Sequence, residues 1–92
     1  MILKLITFVL FFAVEPISAK SIARRVRRLQ PTLAQGAITS ALGEMTSAKV
    51  ISKISRPHLP TLFYLNNKAR EQVAGAAWPN SKAWQARRKK ML

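Results

Sequence analysis

The chain has 92 residues, 49% of them hydrophobic, which is enough for one small domain with a core and excludes global disorder. It holds no cysteine, three acidic residues and one histidine, against 16 lysines and arginines, for a formal net charge of +13. Those counts exclude a disulfide scaffold and thiolate zinc sites, leave little for hydrolytic chemistry, and favour a polyanionic partner.

Met1 to Ala19 admits two readings. Lys4, the apolar run Leu5–Val14 and the small residue Ala19 have the form of a secretory signal peptide, and the run is too short to span a bilayer, which needs roughly 20 apolar residues. The alternative is a buried first helix with Ile2, Leu5, Ile6 and Val9 on one face, continued by Phe12 or Ala13 and ended by Glu15-Pro16. Without residues 2–14 the remainder has too little apolar surface for a stable core, so the helix is the expectation.

Ser18 or Ala19 opens a second helix, with Ser18 as N-cap. Ile22, Val26 and Leu29 share a stripe at i, i+4, i+7, and Lys20, Arg24, Arg25, Arg27 and Arg28 cover the rest. Gln30-Pro31-Thr32 breaks this helix, and Thr32 is placed to cap a third, from about Leu33 to Thr46. Ile38, Leu42 and Met45 point it inward; Gln35, Gly36, Thr39, Ser40 and Gly43 face outward, with Glu44 as its one charge. A face of small, uncharged polar residues can enter a major groove, where Gln, Thr and Ser have base-edge partners. A plain surface helix rich in small residues has the same composition.

After a turn at Ser47-Ala48-Lys49, the spacing becomes strand-like from Val50 to Arg56 and from Thr61 to Asn66. The link Arg56-Pro57-His58-Leu59-Pro60 is too proline-rich for a strand and reads as the hairpin tip, with Lys53, Arg56 and His58 on or beside it. Asn66 or Asn67 caps a fourth helix, with Ala69 and Val73 inward and Lys68, Arg70 and Glu71 outward. The chain therefore divides into a domain over residues 1–77 and a basic tail over 78–92. The tail carries Trp78, Trp84 and the cationic run Arg87-Arg88-Lys89-Lys90, with a short helix capped by Asn80 or Ser81. Such a run serves equally as a solvated tail, a nucleic-acid arm or a protein interface.

Catalytic constellations are missing. Glu15, Glu44 and Glu71 fall on different elements, His58 is alone on a loop, and the three glycines form no phosphate loop. The sequence predicts no enzyme, no cofactor and no metal.

A helix running into a two-stranded ribbon is how a winged helix-turn-helix domain is built. The sequence resembles regulators of the MarR, PadR and BlaI kind over residues 2–75. Ile38-Thr39 with Leu42 and Met45 matches their recognition helix, Val50-Ile51 the strand start, and Tyr64-Leu65-Asn66-Asn67-Lys68-Ala69-Arg70 the run opening the next helix. Ile17 to Ala23 looks like the start of their second helix and Leu3 to Phe12 like their first. Lys49 and Ala69 stand where those families carry glycine, the long MarR dimerisation helices are missing, and the Ala23–Ile38 segment is nearer BlaI spacing.

The resemblance implies a mainly α fold with a small β-hairpin, and a cytoplasmic, nucleoid-associated regulator of transcription, of phage or mobile-element size, on double-stranded DNA. Gln35, Thr39 and Ser40 are then the base contacts. Lys20, Arg24, Arg25, Arg28, Lys53, Arg56, His58, Arg87, Arg88, Lys89 and Lys90 are the backbone contacts. Phe8, Phe11, Phe12, Trp78 and Trp84 form the expected homodimer interface, unless the rings of the first helix pack beneath the C-terminal tail. The rival functions are a protein-interaction module on the same fold and a secreted cationic, membrane-active peptide starting at Lys20.

Overall fold

The computed structural model of the chain describes residues 1–91. Helix α1 (Ile2–Phe12) is apolar on nearly every side and buries Leu5, Ile6, Phe8, Val9 and Leu10. Such a helix belongs at the centre of a fold. It packs against α2 (Ala19–Leu29), α3 (Gln35–Ser47) and strand β3 (Leu59–Leu65). It stops at Phe12, with Ala13 extended and Glu15-Pro16 following, as the sequence predicts.

Strand β1 (Ile17–Ser18) leads into α2. The Ser18 hydroxyl accepts the Ser21 N–H at 3.2 Å as the N-cap, and Ile22, Ala23 and Val26 go into the core. Arg27 and Arg28 in the last turn complement the negative end of the helix.

The α2–α3 link differs from expectation. Leu33 N–H donates to Gln30 C=O at 3.2 Å, closing a turn with Pro31 at its second position, where the fixed φ of proline suits it. Thr32 is part of that turn and caps nothing; α3 starts at Gln35, with Ala34 as an N-cap that makes no side-chain bond. Ile38, Ala41, Leu42 and Met45 bury its inner face.

Helix α3 ends in a Schellman arrangement. Val50 N–H bonds Met45 C=O at 3.0 Å, Lys49 N–H bonds Thr46 C=O at 3.1 Å, and Lys49 takes φ 61°. The lysine thus occupies a left-handed conformation that glycine adopts freely.

Strand β2 (Ile51–Arg56) pairs antiparallel with β3, from Ile51↔Leu65 to Arg56↔Leu59. The tip is shorter than the sequence suggests. Only Pro57 and His58 lie between the strands, and His58 supplies the positive φ (58°) that a tight turn after proline demands. Leu59 and Pro60 extend β3. A register shift between Ile54 and Arg56 places Pro60 at a bulge, where a strand tolerates a missing N–H. On its other edge β3 pairs with β1, Ile17↔Phe63 and Ser18↔Leu62, giving the sheet order β1-β3-β2. The protein is thus mainly helical with a small three-stranded antiparallel sheet.

Helix α4 (Asn67–Gly75) is capped by Asn66, whose Oδ1 accepts the Ala69 N–H at 2.9 Å while its amide donates to Lys49 C=O. Arg70 is not outward as expected. It is half-buried and donates to Phe11 C=O at 2.9 Å and Leu10 C=O at 3.3 Å. Leu10 C=O also accepts the Ala13 N–H at 3.3 Å, and the negative end of α1 attracts a cation to both carbonyls.

A 3-10 turn (Trp78–Asn80) and helix α5 (Lys82–Met91) close the described chain. The short helix is the one expected, but it is no free tail: α5 packs on α2, and Trp84 is 6% exposed. Phe8 lies 4.8 Å from Trp84 and 4.9 Å from Phe12 between ring centroids, and the two tryptophans are 4.9 Å apart. These rings satisfy one another inside one chain. Of the dimer surface expected on Phe8, Phe11, Phe12, Trp78 and Trp84, Phe8 and Trp84 are corrected to core residues, and the other three are half-buried against that core.

Candidate nucleic-acid interface

The outward face of α3 is built from small residues because its inward face takes all the large ones. Gln35, Thr39 and Ser40 are exposed, as are Gly36, Gly43, Glu44 and Ser47. Nothing lies within 4 Å of a Cβ placed at Gly36 or Gly43, so both glycines front open space. The Thr39 hydroxyl donates back to Gln35 C=O at 3.1 Å. That leaves its oxygen as an acceptor and its methyl free for apolar contact.

Beside this face runs a groove of about 450 Å³ shared with the hairpin. Thr39, Gly43 and Thr46 line it from α3, and Lys53, Thr61 and Phe63 from the strands. Thr39 and Lys53, assigned to base and backbone contacts from sequence, thus share one recess. Gly43, which the sequence places only on the outward face, Thr46 and Thr61 join them. For the first two the signal was present: from Thr39, i+4 and i+7 mark one helix flank. Thr61 depends on cross-strand register, which the bulge shifts. Arg56 and His58 are exposed at the hairpin end, where an Arg56 guanidinium nitrogen donates to Pro60 C=O at 3.2 Å and braces the turn. Lys20 is exposed in the first turn of α2.

The remaining sequence-assigned cations gather elsewhere. Arg24, Arg25, Arg28 and Arg88 line a different cleft, between α1, α2 and α5, to which, among the described residues, α3 and the hairpin contribute nothing. Arg87 stacks over Trp84 at 4.4 Å and Arg88 over Phe12 at 4.2 Å, so half of the basic run is folded onto the domain's own rings. Lys89 and Lys90 are exposed.

Among the described residues, no group of three or more His, Cys, Asp or Glu could hold a metal, and no helix is long and apolar enough to cross a membrane. Compared with known proteins, the chain matches no family model, no curated protein and no solved structure.

Proposed function

We propose that the protein is a small DNA-binding module of the winged helix-turn-helix type, acting in transcriptional regulation. The observation that carries this reading is the groove in which the uncharged flank of α3 meets Lys53 of the hairpin. The order of elements supports it: two helices joined by a proline turn, then a hairpin whose outer end carries Arg56 and His58. On this reading α3 lies in the major groove, with Gln35, Thr39 and Ser40 toward base edges. Lys20, Lys53, Arg56 and His58 meet the flanking backbone, and the net charge of +13 supplies the non-specific affinity.

The test begins with selection of preferred sites from a random duplex library. Thr39→Ala is expected to flatten the preference at the base it meets, costing about 1–3 kcal/mol against the selected site and little against random duplex. Arg56→Ala is expected to weaken selected and random duplexes alike. Equal losses from both variants on both duplexes would sink the reading.

One observation favours a second reading, a protein-docking module on the same scaffold. Ile54 and Tyr64 are exposed on the hairpin face opposite Lys53, beside a fully exposed Val14. A partner held there binds without DNA and stays bound in high salt, whereas a duplex is released.

A further inference from the structure

The cleft between α1, α2 and α5 has no part in the reading above, and its chemistry is distinct. It measures about 530 Å³, within the range of small-molecule sites. Three arginines, Arg24, Arg25 and Arg28, line it from α2, and a fourth, Arg88, from α5. Glu15, on the α1–β1 link, is the one carboxylate lining it among the described residues. Four positive groups against one negative leave a formal surplus of three positive charges. Arg24, Arg28 and Arg88 are exposed and Arg25 is half-buried, and a multivalent anion seated among them offsets their mutual repulsion.

Two features narrow the anion. A monocarboxylate would leave most of the surplus uncompensated, whereas a di- or triphosphate balances it, and the planar fork of arginine matches phosphate oxygens in pairs. The floor is apolar, from the half-buried Phe12 and Met91, and Phe12 already carries the Arg88 guanidinium 4.2 Å from its ring centroid. A duplex backbone offers nothing apolar to such a floor. A purine or pyrimidine does: it packs flat on aliphatic and aromatic side chains and stacks on a guanidinium. Glu15 adds an acceptor for ribose hydroxyls. We infer that the α1–α2–α5 cleft binds a nucleoside di- or triphosphate, with its phosphates among Arg24, Arg25, Arg28 and Arg88 and its base against the apolar floor. The inference stands on the cleft alone, whether or not α3 and the hairpin meet DNA.

The experiment is calorimetric titration of the full chain with ATP and with inorganic tripolyphosphate at about 0.15 M salt, where long-range surface attraction is screened. One molecule of ATP is expected per chain, bound several-fold tighter than tripolyphosphate. Arg25→Ala with Arg28→Ala should weaken ATP on the order of tenfold or more. Lys68→Ala with Lys82→Ala removes the same charge from exposed sites outside the cleft and should change it less than about twofold. Circular dichroism melts check that each variant folds; Arg88→Gln repeats the test from the other wall should the α2 pair fail to fold. Three results overturn the inference: equal losses from the two double variants, tripolyphosphate binding as well as ATP, or the α2 pair losing duplex DNA as steeply as it loses ATP. The DNA reading fails on different residues, Thr39 and Arg56, so the two failures are distinguishable.

Discussion

Two residues hold elements together in ways their side-chain class does not advertise. Lys49 sits at φ 61° to complete the Schellman end of α3, where an L-residue with a Cβ costs roughly 1–2 kcal/mol. Lys49→Gly removes that strain and returns part of the gain as unfolded-chain entropy. The expected net is a stabilisation of about 0.5–1 kcal/mol, a rise of a few degrees in Tm on a thermal melt; a lower Tm would mean that the lysine side chain contributes more than its backbone costs. Arg70 works in the opposite direction. Its guanidinium closes the carbonyl end of α1 from 59 and 60 residues away in sequence, at Phe11 and Leu10. Hydrogen bonds from a charged donor contribute about 1.5–3 kcal/mol, so Arg70→Ala is expected to lower Tm by ~10 °C. Arg70→Lys recovers only part, because one ammonium cannot match a fork spread over two carbonyls. Equal Tm values for wild type and Arg70→Ala would show that water satisfies those carbonyls as well as the arginine does.

At the scale of elements, α1 organises the rest. Leu5, Ile6, Phe8, Val9 and Leu10 are all at most 1% exposed. Burial of such side chains contributes about 1.5–3 kcal/mol each, which together reaches the whole net stability of a small domain, about 5–15 kcal/mol. A chain beginning at Lys20 is therefore expected to show no cooperative thermal transition by circular dichroism; a sharp melt from that fragment would overturn the central place given to α1. Much of this was legible in the sequence. The apolar run of α1, Ser18 as a cap, the stripes of α2 and α3, and the change to strand spacing after Lys49 all depend on local periodicity and capping chemistry. The α3 start, the extent of the hairpin tip and the packing of the C-terminal helix are not legible locally, because each is settled by something non-local or by a competing local bond. Leu33 closes a turn onto Gln30 in place of starting a helix, and Pro60 is absorbed by a bulge that only cross-strand register creates. Trp84 is drawn back onto Phe8, 76 positions earlier, so a segment that reads as a charged tail is half core.

Over the whole molecule, the cations fall into separate groups, and periodicity alone could not sort them. The radius of gyration is 12.6 Å, close to the roughly 12 Å of a compact chain this long, because α5 folds back on α2. That return gathers Arg24, Arg25, Arg28 and Arg88 into one cleft, leaving Lys53 in the α3 groove and Lys20 and Arg56 exposed on other elements. The sequence supplied the residue types and the α3 face, but not this partition, which depends on how α5 crosses α2. The partition matters because a net charge of +13 binds any duplex to some degree, and total charge must be separated from a particular face. Each phosphate neutralised contributes about −0.9 to the slope of log K against log salt on B-form DNA. If Lys53 and Arg56 each meet a phosphate, removing both as alanines reduces the magnitude of that slope by about 2. Removing Lys68 and Lys82, equal in charge but placed on α4 and at the start of α5, should leave the slope nearly unchanged. Filter binding of one duplex at four or five salt concentrations gives both slopes. Identical slopes for the two double variants would mean that the duplex responds to charge alone, and that the groove between α3 and the hairpin does not orient it.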